Sequence, residues 1–93
     1  MRSKGTVKPV VRSPTESLGA AVRDRRKALG INQAELAALS GVGLAFLYEL
    51  EHGKATVRID KVLAVLEVLG LELHVRQGKG RLSVDPALDE TAS

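Results

Sequence analysis

The residue types that carry out most catalysis are few in this chain and do not cluster. There is no cysteine, and the only two histidines, His52 and His74, are far apart with no acidic cluster at ligand spacing. A zinc site or a nucleophile–base pair needs several such side chains at defined spacing. Gly41-x-Gly43 lacks the third glycine of a dinucleotide-binding loop, and Gly78-Lys79-Gly80 lacks the spacing of a phosphate-binding loop. The sequence therefore predicts no enzyme activity, no metal and no cofactor.

The distribution of charge points instead to a polyanionic partner. Residues 1–17 and residues 18–31 each carry a net charge of +3, whereas residues 32–53 carry −3. Clustered positive charge favours binding to a polyanion such as nucleic acid. A solvated helix face explains the charge of residues 18–31 equally well. Charge alone does not decide between these interpretations.

The stretch from residue 31 to residue 53 has the pattern of two short helices joined by a tight turn. Asn32 can cap the first helix, and Glu35 can complete a capping box with it. Gly41 suits the left-handed backbone of a sharp turn, and Gly43 can cap the second helix. Apolar residues at helical spacing can pack the two helices together: Leu36, Ala37, Val42, Leu47 and Leu50. We therefore predict a helix-turn-helix, whose second helix usually lies in the DNA major groove.

Two further helices are expected around this motif. Ser13 and Pro14 form a good start for the first helix of the chain, which Gly30 ends. A last helix is expected from about Val57 or Arg58 to Leu69, before Gly70. Its inward stripe is predicted as Ile59, Val62, Leu63, Leu66 and Leu69. Residues 13–76 thus form one domain, between a flexible basic arm at 1–12 and a tail or short hairpin return at 77–93.

The region after the last helix predicts a strand that needs a partner. Residues 71–76 alternate apolar and polar side chains, as a strand with one buried face does. The partner strand is either residues 81–84 of the same chain or the same strand of a second subunit. The side chains expected at a homodimer interface are Val65 and Val68, on a second apolar face of the last helix, with Leu71, Leu73 and Val75. The predicted fold class is mainly α, with a short C-terminal β-strand forming an intersubunit sheet.

No segment of the sequence is expected to enter a membrane. The basic start of the chain is not followed by the apolar core of a signal peptide. The longest apolar run, Val62 to Val75, is interrupted by Glu67 and Glu72 and is too short to cross a bilayer. A cytoplasmic protein is expected.

Residue types at these positions resemble the Xre-type, or phage-repressor-type, helix-turn-helix family. The resemblance covers residues 18–70 and implies a five-helix-type module. It rests on Asn32 to Ala37, Gly41-Val42, Leu47, Leu50, Glu51 and Gly53. It also implies an ion pair between Arg26 and Glu51 that locks the first helix onto the recognition helix, without reading DNA itself.

The resemblance also assigns DNA contacts to this chain. Gln33 matches a phosphate-contacting glutamine, and Lys54 and Arg58 flank the groove as phosphate clamps. The exposed face of the recognition helix is expected to be Gly43, Leu44, Ala45, Tyr48 and Glu49. The family usually has more polar side chains there, so thymine methyl contacts and DNA shape are expected to contribute to specificity.

Within that family the chain is most similar to HipB-like antitoxins. The similarity rests on Ser13-Pro14-Thr15, the helix-turn-helix, the alternating residues 71–76 and the stretch from Gly53 to Lys61. It implies a homodimeric repressor that binds double-stranded operator DNA at its own operon. It further implies a HipA-like serine/threonine kinase toxin as a partner. A stand-alone repressor and a protein-interaction module with weak DNA binding are the alternatives.

Overall fold

The computed structural model describes residues 13–88, which contain four α-helices. They are α1 (Pro14–Ala28), α2 (Gln33–Ser40), α3 (Leu44–Glu51) and α4 (Ile59–Leu69), and residues 86–88 add one helical turn. The described part therefore has one long helix fewer than a five-helix-type module, because residues 71–85 form neither helix nor strand. The basic arm expected at residues 1–12 lies outside the described residues.

The helix boundaries follow the local signals in the sequence. Ser13 Oγ accepts a hydrogen bond from the backbone N–H of Glu16 at 3.3 Å and caps α1. Asn32 and Glu35 form the expected capping box of α2, with both bonds at 2.8 Å. Gly41 ends α2 with a φ of 70°, a backbone conformation that glycine adopts without strain. The caps and the turn that the sequence predicts for the helix-turn-helix are thus confirmed.

The helices enclose one apolar core. α1 packs against α3 and α4, and α2 also contacts both α3 and α4. The buried hydrophobic residues are Leu18, Val22, Leu36, Ala37, Leu47, Leu50, Val62, Val65, Leu66 and Leu69. Where α1 crosses α3, Gly19 lies so close that a Cβ atom on it would be 2.1 Å from the carbonyl oxygen of Leu50. The absence of a side chain at this position lets α1 rest directly on the end of α3.

The buried stripe of α4 differs from the predicted stripe. Val65 is fully buried in the chain's own core, whereas Ile59 and Leu63, expected to point inward, are 58% and 47% exposed. The observed stripe is Val62, Val65, Leu66 and Leu69, which is the i, i+3, i+4, i+7 spacing of one helix face. Val65 is therefore not on a surface that a second subunit could contact. Val68 remains half-buried at the edge of the core.

The segment after α4 has no strand anywhere between residues 70 and 88. Leu71 and Leu82 pack against the core, so the chain folds back over the bundle. Leu73 is 40% exposed and Val75 is 99% exposed. Residues 81–84 do not return as the second strand of a hairpin, and residues 71–76 do not form the predicted strand within the single chain. The Leu71 N–H donates to the carbonyl oxygen of Leu66 at 2.9 Å, but residues 72–76 have no backbone hydrogen bond within the described part of the chain. A strand needs a partner for its backbone groups, and none is present here.

Of the helices in the described part, none is both long and apolar enough to cross a membrane.

Candidate DNA-binding surface

One side of α3 faces solvent and carries five of the residues predicted to contact DNA. Leu44 and Tyr48 are about half exposed, and Ala45 and Glu49 are also exposed. Gly43 is the N-cap, with open space where a Cβ atom would be. The opposite side of α3 is held in the core by Leu47 and Leu50, which are fully buried. The helix therefore presents a fixed outer face, part apolar and part polar.

The end of α3 is fixed by a buried ion pair with α1. Arg26 donates two hydrogen bonds to the Glu51 carboxylate, from Nε to Oε2 at 2.7 Å and from Nη2 to Oε1 at 3.0 Å. Its Nη1 donates to the carbonyl oxygen of Ile31 at 3.0 Å. Arg26 is 8% exposed and Glu51 is 3% exposed. The hydrogen bond to Glu51 raises the pKa of Arg26 above its usual value. The arrangement is the one that the family resemblance implied.

The same carboxylate also binds the first residue of α2. Gln33 Nε2 donates to Glu51 Oε1 at 3.0 Å. Glu51 therefore accepts from α1 and α2 together, and this fixes the angle between the two helices of the motif. Gln33 is half-buried, so only part of its side chain faces solvent. This contact was not predicted from the sequence, because the resemblance suggested only an outward role for Gln33.

A second polar contact joins the start of α1 to the loop that follows α3. Thr15 Oγ1 donates to the carbonyl oxygen of Gly53 at 3.2 Å. Gly53 has a φ of 76°, and a Cβ atom there would lie 2.6 Å from Cγ of Glu16. The start of α1 therefore holds the loop that carries Lys54, next to the outer face of α3.

The two predicted phosphate clamps are each paired with an acid in this structure. Lys54 Nζ is 3.2 Å from Oε1 of Glu49. Arg58 donates from Nε to Oδ1 of Asp60 at 3.1 Å and from Nη2 to Oδ2 at 2.5 Å. The hydrogen bonds from Arg58 lower the pKa of Asp60 below its usual value. Asp60 was not singled out from the sequence, although its position two residues after Arg58 was a usable signal. Both cations line an open cleft beside Phe46 at the outer edge of α3.

The aromatic residues of α3 are used in two ways. Tyr48 stacks on His52, with ring centroids 4.0 Å apart, and His52 Nδ1 lies 2.8 Å from the Tyr48 carbonyl oxygen. Phe46 is half-buried against the core, and Lys61 Nζ lies 5.5 Å from the centre of its ring. Both histidines are exposed, and within residues 13–88 no group of His, Asp and Glu side chains is arranged to hold a metal ion. His52 packs on Tyr48, and His74 Nε2 lies 3.0 Å from Oε2 of Glu72.

Comparison with known proteins agrees with this geometry. The sequence profile of the helix-turn-helix family matches residues 22–75, which is more than half of the chain. The chain belongs to the Xre-type helix-turn-helix family. It is 45% identical over 65 residues to y4mF, an uncharacterised HTH-type transcriptional regulator of Sinorhizobium fredii. That match covers 70% of this chain and 84% of the relative.

Two solved structures of regulators share the fold of this helix-turn-helix protein. The clp gene regulator ClgR of Corynebacterium glutamicum is 35% identical with a TM-score of 0.64, over 71% of this chain and 85% of that one. The restriction-modification controller protein C.AhdI of Aeromonas hydrophila is 29% identical with a TM-score of 0.58, over 62% of this chain and 88% of that one. The chain is thus a DNA-binding transcriptional regulator whose helix-turn-helix is formed by α2 and α3.

Proposed function

We propose that this helix-turn-helix regulator is a homodimeric repressor that binds an inverted repeat in double-stranded operator DNA. The observation that supports it most is the exposed outer face of α3, held from behind by the buried pair of Arg26 and Glu51. A recognition helix must be rigid relative to its own body if several side chains are to meet base edges together. The half-sites are then about one helical turn apart, or a multiple of it.

Base readout on this surface rests on few polar groups. Glu49 is suited to accept a hydrogen bond from N4 of cytosine, and Leu44 and Ala45 to contact thymine methyl groups. Tyr48 reaches either a phosphate or a base edge. Because Gly43 and the two apolar residues offer no side-chain hydrogen bond, DNA shape and half-site spacing carry part of the specificity.

The proposed contacts to the DNA phosphate backbone flank this readout surface. Gln33 at the N-terminus of α2, Lys54 in the loop and Arg58 at the N-cap of α4 are the proposed phosphate contacts. Their positions before and after α3 support a phosphate contact on each side of the major groove. Such contacts position the protein and do not read sequence.

The dimer is proposed to form through residues 71–76. Leu73 and Val75 are exposed in the single chain, and they follow the half-buried Val68 and Leu71 in the sequence. Pairing this segment with its symmetry mate would satisfy its backbone and cover these side chains, and a two-fold axis there would turn both α3 helices towards one face of the DNA. The alternation of residues 71–76, together with the unpaired backbone of residues 72–76 in the described part of the chain, supports the intersubunit sheet.

Operator binding is tested by fluorescence anisotropy with the DNA upstream of the gene for this chain. The regulator should bind that fragment much more tightly than a duplex of random sequence and equal length, with two protomers per inverted repeat. Equal affinity for both duplexes at the same salt concentration contradicts sequence-specific repression. Salt must be held constant because the phosphate contribution falls steeply with it.

We further propose that the regulator is the antitoxin of a HipBA-type module, with a HipA-like serine/threonine kinase as its protein partner. The support is the resemblance carried by Ser13-Pro14-Thr15, the helix-turn-helix and the alternating residues 71–76. A kinase encoded beside this gene should co-purify with the tagged regulator and lose activity in the complex. A neighbouring kinase that neither binds nor responds would leave a stand-alone repressor as the function.

A protein-interaction module with weak DNA binding is the competing function, and one observation favours it. Leu44 lies at the start of the recognition helix with 52% of its surface exposed, where DNA readers are usually polar. Substitution Leu44→Gln separates the two functions. For a DNA reader it should change affinity for the operator, whereas for an interaction surface it should weaken protein binding and leave weak DNA binding unchanged.

A further inference from the structure

The pair formed by Arg58 and Asp60 is the most complete ionic contact on the proposed DNA surface. Two guanidinium nitrogens meet two carboxylate oxygens at 3.1 and 2.5 Å. Both side chains are well exposed, 68% for Arg58 and 62% for Asp60. The contact therefore uses the planar donor fork of arginine in the same way that a phosphate would use it.

An exposed pair of this kind adds little to stability, because solvent screens it. The same pair affects DNA binding through competition for the Arg58 guanidinium. A phosphate can take both guanidinium donors only by displacing the carboxylate, and the displaced negative charge then remains beside the DNA backbone. The pKa of Asp60 is lowered by the same hydrogen bonds, so the carboxylate is charged at neutral pH.

We propose that Asp60 is an intramolecular competitor for Arg58 that lowers the sequence-independent affinity of this regulator for DNA. The proposal rests on the proposed phosphate contact of Arg58. By occupying the guanidinium, Asp60 reduces the attraction that any duplex exerts on the protein. Binding to random DNA is thereby weakened, so the contacts of the α3 face contribute a larger share of the affinity for the operator.

Lys54 has an analogous partner, but this contact involves only one carboxylate oxygen. Its ammonium group is 3.2 Å from a single oxygen of Glu49. A lysine ammonium can donate to a carboxylate and a phosphate at once, since it has three donors directed apart. Glu49 also lies on the proposed readout face, so its substitution would change two functions together. Asp60 is therefore the position at which competition can be measured alone.

The experiment compares Asp60→Asn with a matched control, Glu67→Gln. Glu67 is exposed on the same helix two turns away, and its substitution removes the same charge. Affinity for a 20-base-pair duplex of random sequence is measured by anisotropy at several salt concentrations. Asp60→Asn should bind several-fold more tightly than the control. Its log affinity should also fall more steeply with log salt, by part of the slope of about 0.9 that one complete phosphate contact contributes, because Asp60 weakens this contact in the wild type without abolishing it.

A double-mutant cycle with Arg58→Gln assigns the effect to the pair. In the Arg58→Gln background, Asp60→Asn should raise affinity no more than Glu67→Gln does. The proposal is overturned if Asp60→Asn matches the control in the wild-type background, or if its gain is undiminished without Arg58. Should Arg58→Gln leave DNA affinity at the wild-type level, the phosphate contact itself is wrong, which is a separate result.

Folding is controlled independently in this experiment. Asp60 lies in the first turn of α4, where an acid favours the helix N-terminus. Asp60→Ser repeats the comparison with another residue that suits this turn and cannot form the paired contact with Arg58. A thermal melt for each variant restricts the comparison to folded protein.

Discussion

Arg26 and Glu51 are joined by two hydrogen bonds, of 2.7 and 3.0 Å, although they are 25 residues apart in the sequence. The pair links the buried side of α1 to the last residue of α3. Because Glu51 also accepts from Gln33, three helices meet at one carboxylate. A polar contact inside an otherwise apolar bundle thus contributes, with the buried Leu47 and Leu50, to the orientation of the recognition helix.

The first prediction concerns this pair. Arg26→Ala should lower the free energy of unfolding by about 3–5 kcal/mol, because it leaves a buried carboxylate without its partner. Glu51→Ala should cost a similar amount, and the double variant should cost less than the sum of both. Urea unfolding of the four proteins measures the coupling. Arg23→Ala is the control, because Arg23 Nε lies 3.6 Å from Oδ1 of Asp24 on the surface. This variant should lose about 1 kcal/mol or less of its free energy of unfolding. If the loss in the double variant equals the sum of the two single losses, the two residues are not coupled.

The second prediction concerns the crossing of α1 and α3. Gly19→Ala places a Cβ atom 2.1 Å from the carbonyl oxygen of Leu50, so the helices must move apart. The expected loss is about 3 kcal/mol or more, at the upper end of what overpacking costs. Operator affinity should fall with it, because the end of α3 shifts. Ser17→Ala, in the same helix, adds no atom and should change stability little. An unchanged melting temperature for Gly19→Ala would contradict the close approach.

Much of this fold follows from short-range sequence signals. Asn32, Glu35 and Gly41 define the helix-turn-helix because capping and left-handed turns depend on residues within one helical turn. The pairing of Arg26 with Glu51 was available only from family resemblance, since no local rule links residues so far apart. The outward position of Leu44 and Tyr48 followed once α3 was located.

The features that the sequence did not predict correctly have a common physical origin. The buried face of α4 is predicted from the positions of its apolar residues alone, and several overlapping sets of these residues have helical spacing. Packing against α1 and α2 selected the one that contains Val65 and excluded Ile59 and Leu63. The strand at residues 71–76 was predicted from alternation, which describes a side-chain pattern and does not supply a partner. The contact of Arg58 with Asp60 depends on side-chain geometry at the start of α4.

The third prediction separates phosphate contact from base readout. Arg58→Ala should weaken binding to operator and random DNA by a similar factor and make the salt dependence shallower. Glu49→Ala should instead change base preference at one position of each half-site, at a cost of about 1–3 kcal/mol for the preferred base. Affinities for a set of operators, each with one base pair changed, distinguish the two. A uniform loss for Glu49→Ala would assign Glu49 to holding Lys54 and not to reading a base.

The last prediction concerns the proposed dimer, through which two protomers would bind the inverted repeat. Leu73 is 40% exposed and lies outside the core of the single chain, so Leu73→Asp should leave the bundle folded. A charge at this position would be buried in an intersubunit sheet, and the dimer should therefore dissociate. His74→Asp is the matched control: His74 lies 3.0 Å from Glu72, its neighbour two residues away, on the polar side of the segment. Sedimentation at micromolar concentration should give a dimer for the wild type and His74→Asp, and a monomer for Leu73→Asp.

Operator affinity should follow the oligomeric state in the same samples. Leu73→Asp and truncation after Gly70 should both lose operator binding, because a single protomer reads only one half-site. Weak binding to random DNA should persist in Leu73→Asp, since Lys54 and Arg58 are distant from the substitution in the sequence and lie beside α3. A folded monomer for the intact wild type at micromolar concentration would rule out the intersubunit sheet. So would a Leu73→Asp variant that remains a dimer, because the interface would then have to lie elsewhere, with the exposed Ile59 and Leu63 of α4 as the next surface to substitute.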